Sequence, residues 1–309
     1  MKSIFKIIGS KKIIILTLFL VGVLLVLVWP LVAGQTSRPD KLVVSVDFAN
    51  KEIKDSATSP EIGFLANPVA LYSYNFALDN ISAINNAINP SFKYVNIPQG
   101  LRKEQAAERF AEALNWGEDE KNKFIDFSTH KLVNFEGYYY PGTYTVYKGE
   151  NSTSVVTRMI GKFNSQVMDK IDFKALGVLK LETVLKIASL IERETNGTDK
   201  RLIAGIIWNR IFADMSLDID ATLQYAKGSE DGGWWPVVVP KDKYIDSPYN
   251  TYRNKGLPPT PISNPGLASI SATLNPIKTP CIFYFHDKKG RIHCSVTYKE
   301  HKRLIGVYY

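Results

Sequence analysis

An uninterrupted apolar run near the N-terminus constrains this chain more than any other feature of its sequence. No charged residue occurs between Ile13 and Ser37, and the segment up to Trp29 is almost entirely Ile, Leu, Val and Phe. About 20 apolar residues make a helix long enough to cross a hydrocarbon core of about 30 Å. We therefore predict a transmembrane helix over residues 13–33, with the Trp29 ring near the far interface.

The charges before this run predict its orientation. Lys2, Lys6, Lys11 and Lys12 precede it with no acid among them, and lysines that flank a span favour the cytoplasmic side. We expect a single-pass protein of the cell (inner) membrane, with a cytoplasmic N-terminus and everything after the helix outside the cytoplasm. The alternative is a cleaved signal peptide, although the apolar part of a signal peptide is usually only about 7–15 residues long.

The net charge does not indicate nucleic-acid binding. The formal charge is +8, and those four lysines contribute half of it. Because the rest of the chain contains no basic block, no nucleic-acid partner is expected. The chain is 45% hydrophobic and 22% charged, which is typical of a globular protein and excludes both wholesale disorder and several membrane spans.

Periodicity and turn residues predict a mixed α+β fold after the apolar run. Strands are expected at 41–47 and 94–97, and a Tyr-rich strand pair, broken at Pro141 and Gly142, at 136–147. The tyrosines of this pair suit either a sheet face or sugar stacking, and we favour the sheet face. The predicted helices cover residues 102–115, 152–168, 181–195, 200–213 and 267–274.

Both cysteines flank a predicted β-hairpin with its turn at Asp287 to Gly290. Pairing those two residues places Cys294 opposite Phe283, with Cys281 diagonal to it on the same face. A β-bulge would bring the two sulfurs together in an oxidising compartment. Two half-buried thiols are an equal alternative.

Common catalytic motifs are absent from the sequence. It contains no G-x-S-x-G, Walker loop, G-x-G-x-x-G or H-E-x-x-H pattern. Of the four histidines, only His286 and His293 are placed to converge, in the hairpin, and a metal site there lacks a third ligand. We therefore expect neither a metal nor a cofactor.

Two glutamates fall on the apolar side of the helix predicted over 181–195. At about 100° per residue, both Glu192 and Glu194 project among buried aliphatic positions. Burial disfavours an ionised carboxylate and raises its pKa, which suits a general acid near neutral pH. The alternative is a structural role at the helix end, with pairing to Lys200 or Arg201. Helix geometry alone does not choose between the two glutamates.

The same helix carries a resemblance to a known family. Residues 188–195, ASLIERET, resemble the A-S-[IL]-[IV]-E-[KR]-E-T signature of the endolytic murein transglycosylases, the MltG or YceG-like family. The match covers roughly residues 92–309. Further matching segments, in chain order, are IPQG at 97–100, EGYYYPGTY at 136–144, IIWNR at 206–210, LDIDATLQY at 217–225, SPYNTY at 247–252, GLPP at 256–259, PISNPG at 261–266 and NPIKTP at 275–280.

The resemblance implies an α+β fold built from several parts. These parts are a cytoplasmic tail (1–12), the transmembrane helix (13–33), a divergent membrane-proximal region (34–90), a LysM-like subdomain (91–170) and a mixed α/β catalytic domain with a C-terminal β-hairpin (171–309).

The family activity implied is cleavage of the β-1,4 bond between N-acetylmuramic acid and N-acetylglucosamine in peptidoglycan, with a 1,6-anhydro end as product. By its position in the motif, Glu192 would be the general acid and base, and Glu194 would have a structural or supporting role. The resemblance also implies glycan strands as substrate, a limit on the length of new strands, and cell-wall synthases as candidate partners. Candidates for the glycan groove are Asp220, Thr222, Gln224, Tyr225, Asn250 and Tyr252.

Two other reactions or roles stay open. A hydrolytic muramidase would use the same acid and would need a carboxylate such as Asp220 to position water. A membrane-tethered protein that binds peptidoglycan without cleaving it would follow if departures from the motif disable the site. These departures are Asp218 and Ile219 in place of Gln and Ser, and Ala221 in place of Pro.

Overall fold

The structure is a computed structural model, and it describes residues 41–55, 92–127, 135–195 and 197–309. The tail and the transmembrane helix predicted for residues 1–33 lie outside these ranges. Within the described part of the chain, no helix has both the length and the apolar character that a membrane span requires.

Helices and short antiparallel strand pairs alternate along the described residues, which confirms the α+β class. Each of the five predicted helices is present, with its ends within two residues of the prediction. The helices are α1 (Lys103–Leu114), α2 (Glu118–Ile125), α3 (Ser152–Gln166), α4 (Phe173–Leu176), α5 (Leu181–Glu194), α6 (Lys200–Phe212), α7 (Asp220–Lys227), α8 (Leu267–Leu274) and α9 (Tyr298–Tyr308). The strand pairs are β1 (Val46–Asp47) with β2 (Glu52–Ile53), β3 (Phe92–Ile97) with β4 (Gly142–Tyr147), and β5 (Phe283–His286) with β6 (Ile292–Ser295).

One hydrophobic core forms around the β3–β4 pair. Strand β3 runs antiparallel to β4, and α1 and α2 lie between them in the chain. Helix α1 buries Phe110, and the Phe124 ring of α2 packs 5.7 Å from it, centroid to centroid. Helix α2 escaped prediction because Phe124 is its only buried residue, so its sequence shows no apolar periodicity.

The prediction of a Tyr-rich strand pair over 136–147 is wrong in its first half. Residues 136–141 form a turn and a bend followed by irregular backbone, and β4 pairs with β3 instead. Gly137 adopts a φ of +83°, and a Cβ there would lie 2.6 Å from Pro261, so only glycine fits this turn. The tyrosines do not share a sheet face either, because Tyr139 and Tyr144 lie in the core.

A second core surrounds α5, which packs against both α6 and α8. The apolar side of α5 is fully buried, with Leu185 and Leu190 wholly inaccessible to solvent. The strand predicted over 41–47 is shortened to β1, since only Val46 and Asp47 have a paired neighbour. The burial of α5 extends into its last turn, where Glu192 is also buried.

The C-terminal hairpin forms with a register one residue away from the prediction. Cys294 lies opposite Tyr284, not Phe283, because the turn contains an additional residue. The Asp287 carboxylate accepts hydrogen bonds from the N–H groups of Lys289 and Arg291, which closes this longer turn. The predicted turn at residues 287–290 ended one residue too early.

The two cysteines of the hairpin form a disulfide, with 5.8 Å between the Cα atoms of Cys281 and Cys294. The N–H of Ile282 donates to the carbonyl of Ser295, the residue that also faces Phe283. The strand thus gains an extra residue at this end, as a bulge requires, and Cys281 is brought to Cys294.

Candidate active site

The last turn of α5 holds Glu192 inside the protein. Its side chain is 1% exposed, and Oε1 lies 2.8 Å from the Lys200 ammonium at the start of α6. Its Oε2 accepts hydrogen bonds from the Gly266 N–H at 2.9 Å and from the Ser269 hydroxyl at 2.7 Å. Both oxygens are therefore occupied by donors from two other helices.

The Glu192 carboxylate also accepts hydrogen bonds from the first turn of α8. The N–H groups of a first turn lack partners within their own helix, and a negative charge there is favourable. Gly266 is the residue that caps α8, and a Cβ on it would lie only 2.2 Å from the Gln99 side-chain oxygen. Gly266 therefore donates its backbone N–H to Glu192, and a larger residue there would require the Gln99 side chain to move.

This arrangement corresponds to the structural alternative, in which Glu192 pairs with Lys200. A general acid must come within hydrogen-bond distance of the oxygen that it protonates. Glu192 has no oxygen facing solvent in this geometry, so its surroundings fit the structural alternative better than a role as acid and base. Helical spacing predicted this burial, while the motif position alone predicted the catalytic role.

Glu194 lies two residues further along, on a different side of α5, and is half-buried. The Tyr284 hydroxyl donates to its Oε2 at 2.8 Å, and the N–H of Ala221 donates to the same carboxylate. Burial raises the pKa of Glu194 above its ordinary value, and the charge of Asp220 adds to this rise. The hydrogen bonds from Tyr284 and Ala221 and the charge of His286 act in the opposite direction.

Asp220 and Tyr252 complete this group of side chains. Asp220 is exposed at the first position of α7, and the Tyr252 hydroxyl donates to its Oδ1 at 2.6 Å. A cleft of about 590 Å³ adjoins Asp220, and its other lining residues are Val238, Val239, Pro240, Lys241, Lys243 and Tyr244. Two of the six predicted groove residues therefore interact with Glu194, Asp220 being exposed and Tyr252 half-buried.

Two other predicted groove residues are fully buried. The Thr222 hydroxyl lies 3.0 Å from that of Thr251 and donates to the backbone of Ile219. The Asn250 amide donates to the carbonyls of two residues in the loop before it. Neither side chain is exposed to solvent in this structure, and both hold the loop that carries Tyr252.

Gln224 and Tyr225 are partly buried and are held by protein groups. The Gln224 amide donates to the carbonyl of Pro236 at 3.1 Å. The Tyr225 hydroxyl donates to Glu136 at 3.2 Å, and the Arg102 guanidinium lies 4.0 Å from the centre of its ring. Both residues therefore line the contact between α7 and its neighbours, where their free surface is small.

Sequence reasoning missed several residues of the site. The Arg193 guanidinium lies 3.8 Å from the centre of the Trp235 ring and donates to the Gly100 carbonyl. Adjacent tryptophans in a Gly- and Pro-rich segment were the available signal for Trp235. Tyr284 offered no local signal, because its partner Glu194 is 90 residues away in the chain.

The IPQG and PISNPG segments meet beside the end of α5. The Gly100 N–H donates to the Asn264 carbonyl at 2.9 Å, and the Asn264 N–H donates back to the Leu101 carbonyl at 2.8 Å. Gly100 has a φ of +81°, and a Cβ there would lie 3.4 Å from the Arg193 guanidinium. The IPQG and PISNPG segments, far apart in the sequence, thus lie together against the last turn of α5.

The hairpin histidines do not converge. His286 faces Ile292 and His293 faces Phe285 in adjacent pairs of the ladder, so the imidazoles lie on opposite faces. They contact different carboxylates, those of Asp199 and Asp287. Among the described residues, no cluster of three or more His, Cys, Asp or Glu side chains could hold a metal ion.

Comparisons with known proteins agree with the motif pattern. The model of the YceG-like family matches residues 72–306. The chain is 35% identical over 191 residues to the endolytic murein transglycosylase of Bacillus subtilis (strain 168), a match that covers 59% of this chain and 52% of the relative. It is 31% identical over 181 residues to the endolytic murein transglycosylase of Streptococcus pneumoniae serotype 2 (strain D39), covering 55% of this chain and 32% of the relative.

A solved structure has a similar fold. The 2.6 Å crystal structure of a putative YceG-like protein from Listeria monocytogenes superposes with a TM-score of 0.61 at 30% identity. The superposition covers 68% of this chain and 75% of that one. The chain spans about half of the Bacillus relative and a third of the Streptococcus relative that it matches.

Proposed function

The chain belongs to the YceG-like family, and from this premise we propose that it is an endolytic lytic transglycosylase of peptidoglycan. Its substrate is the bond between N-acetylmuramic acid and N-acetylglucosamine, and its product is a 1,6-anhydro end. The observation that carries this proposal is the half-buried Glu194 carboxyl, with a raised pKa, which interacts with the exposed Asp220 and the half-buried Tyr252.

In this proposal Glu194 replaces Glu192 as the acid and base. The neutral carboxyl of Glu194 donates its proton to the glycosidic oxygen while positive charge develops at the muramoyl C1. The resulting carboxylate then takes the proton of the muramoyl C6 hydroxyl, whose oxygen bonds to C1. Burial supports the first step because it keeps this carboxyl protonated at a higher pH. Glu192, tied to Lys200 and α8, holds the helix end in place.

A hydrolytic muramidase is the second candidate, and Asp220 favours it. Asp220 is close enough to Glu194 for its charge to raise the pKa of that carboxyl, and it is exposed. Two carboxyl groups flanking a glycosidic bond are the usual arrangement of glycoside hydrolases, in which the second group activates water or attacks the sugar. The Tyr252 hydroxyl, bonded to Asp220, would orient that carboxylate.

The oxygen of the new end distinguishes these reactions. Glycan strands are digested in ¹⁸O-labelled water, and the ends are analysed by mass spectrometry. A lytic reaction should give ends with no heavy oxygen and a mass one water below that of a reducing end. Label at the ends would identify a muramidase. If no new ends formed, only glycan binding would remain.

The order of products tests the endolytic part of the proposal. Internal cleavage should release fragments of medium length early in the digestion. An early excess of disaccharides would show cleavage from strand ends and would leave the lytic chemistry in place. Internal cleavage of new strands would also limit their length, and cell-wall synthases are the candidate partners for that role.

We further propose that residues 13–33 anchor the chain in the cell membrane, with the enzyme outside the cytoplasm. Support comes from the apolar run and the lysines before it. A reporter fused after Tyr309 should be active only outside the cytoplasm, and extraction of the protein should require detergent. A soluble form beginning near Gly34 would identify a cleaved signal peptide instead.

The segment from β3 to β4 supports the proposal of a LysM-like subdomain. Two helices, α1 and α2, separate the strands of an antiparallel pair, so the order is strand, helix, helix, strand. The Arg102 side chain links this segment to α7 through its hydrogen bond to the Tyr225 carbonyl at 2.9 Å. A glycan strand bound by such a subdomain would lie next to the part of the protein that holds Glu194.

A further inference from the structure

Strand β5 presents two polar side chains to the end of α5. Tyr284 and His286 are two residues apart on this strand, so they share a face, and their ring centroids are 6.3 Å apart. The Tyr284 hydroxyl contacts Glu194, and the His286 Nε2 atom lies 2.6 Å from Asp199. We propose that Tyr284 and the His286–Asp199 pair are positioning residues, which orient the Glu194 carboxyl and govern its protonation. This inference depends on the proposed role of Glu194.

Tyr284 fixes one of the two Glu194 oxygens. Its hydroxyl donates to Oε2 at 2.8 Å, and burial raises the pKa of Tyr284 well above its ordinary value, which favours the protonated hydroxyl as donor. An oxygen that accepts this hydrogen bond is the less favourable place for the acidic proton. The hydrogen bond from Tyr284 therefore disfavours protonation of Oε2 and fixes the orientation of the carboxyl.

His286 is held from the loop that follows Glu194. Asp199, just before α6, accepts a hydrogen bond from the hydroxyl of Thr195, which directly follows Glu194 in the chain. The same carboxylate contacts His286 and makes no capping hydrogen bond to α6. The His286 ring, half-buried, is thus tied to the end of α5 through Asp199 and Thr195.

The charges that face Glu194 determine in which direction its pKa should shift when His286 or Tyr284 is replaced. Asp220 of α7 raises the pKa of Glu194, while the hydrogen bond from Tyr284 and the protonated form of His286 lower it. Tyr252, in the loop beyond α7, and Arg193, on α5 itself, also interact with this carboxyl. Loss of His286 or of the Tyr284 hydroxyl should therefore raise the pKa of Glu194.

The test measures kcat and KM between about pH 4.5 and 9 for the full chain in mild detergent. Because the acid must be protonated, activity falls as pH rises through its pKa, and a raised pKa moves this basic limb upward. His286→Gln should move the limb by about half a pH unit or more, with KM little changed. Tyr284→Phe should move it in the same direction and also lower kcat, because the carboxyl is no longer oriented.

His293→Gln is the matched control, since His293 lies on the opposite face of the same hairpin. Its pH profile should superimpose on that of the unchanged protein. If the His286→Gln and Tyr284→Phe profiles also superimpose, while Glu194→Gln is inactive, the positioning role is refuted and the acid stands. If Glu194→Gln is active, the proposed acid fails, and this inference fails with it. Circular dichroism at each pH confirms that the compared variants are folded.

Discussion

The ammonium of Lys200 lies 2.8 Å from Oε1 of Glu192, and the two side chains are 11% and 1% exposed. The hydroxyl of Ser269 accepts a hydrogen bond from the same ammonium and donates one to the same carboxylate. A buried charge that loses its partner is strongly destabilising, even where the pair as a whole contributes little. The pair therefore stabilises the contact between α5, α6 and α8. Removal of either charge leaves the other buried without compensation.

Replacement of Glu192 by Gln should destabilise the protein without removing its chemistry. The amide leaves the Lys200 charge uncompensated, so the free energy of unfolding should fall by about 3 kcal/mol. Turnover, measured well below the melting temperature, should fall by less than about tenfold. Urea unfolding of the full chain in detergent measures the first effect, and glycan digestion the second. Full stability combined with loss of turnover would return the acid to Glu192, as the motif position predicts.

Replacement of Glu194 by Gln should have the reverse effect. The amide oxygen still accepts the Tyr284 hydrogen bond, so stability should be kept. Because an amide cannot donate the proton, kcat should fall by about 10²- to 10⁴-fold. Asp220→Asn is the informative companion. It should retain most of its activity if the reaction is lytic and lose it if Asp220 activates water.

Glu136 should make stability depend on pH. This carboxyl is fully buried, and burial, together with the charge of Glu104, raises its pKa to about 7. Between the ordinary value of about 4.5 and 7, the folded state therefore binds more protons than the unfolded state. The proton's contribution to the free energy of unfolding is therefore fully present below about pH 4.5. It is lost as pH rises through 7, and the loss is on the order of 3 kcal/mol.

Glu136→Gln should remove this dependence. Unfolding free energies at pH 5 and pH 8 should differ less in the variant than in the unchanged protein. Glu112→Gln, an exposed change on α1, should leave the original difference in place. Equal pH dependence in the Glu136→Gln variant and the unchanged protein would mean that Glu136 titrates alike in the folded and unfolded chains.

The disulfide should stabilise the C-terminal hairpin. Cys281 and Cys294 are separated by 13 positions, and closing a loop of about that size in the unfolded chain contributes about 3 kcal/mol. Replacement of both cysteines by Ala should lower the free energy of unfolding by about that amount. A reducing agent should have the same effect on the unchanged protein and no effect on the variant. A protein insensitive to reduction would show that the loop constraint contributes nothing.

Local patterns predicted the parts of the fold whose stability is local. Helix α5 was found because its apolar residues recur at helical spacing, and α8 because Asn264-Pro265-Gly266 marks its beginning. The pairing of Glu192 with Lys200 was among the alternatives because the two lie eight positions apart. The hairpin register was not predictable in the same way, since it depends on how the Asp287 side chain closes the turn.

The site was harder to predict because its polar residues look alike in the sequence. Thr222 and Asn250 have polar side chains of the kind that bind glycans. In the structure, however, these side chains form hydrogen bonds to neighbouring loops. Tyr284 lies in a strand with no motif of its own. Only the tertiary fold separates the residues that support the groove from those that face it.

The Tyr284–Glu194 contact also has a consequence for how the protein is made. A ribosome produces Glu194 ninety positions before its partner, so early in synthesis the emerging chain has α5 and lacks β5. Contacts of such long sequence separation form late, because the entropy of closing the loop opposes them. Under the proposed function, a nascent or truncated chain should therefore be inactive until the hairpin has folded, which delays cleavage of the wall until the enzyme is whole.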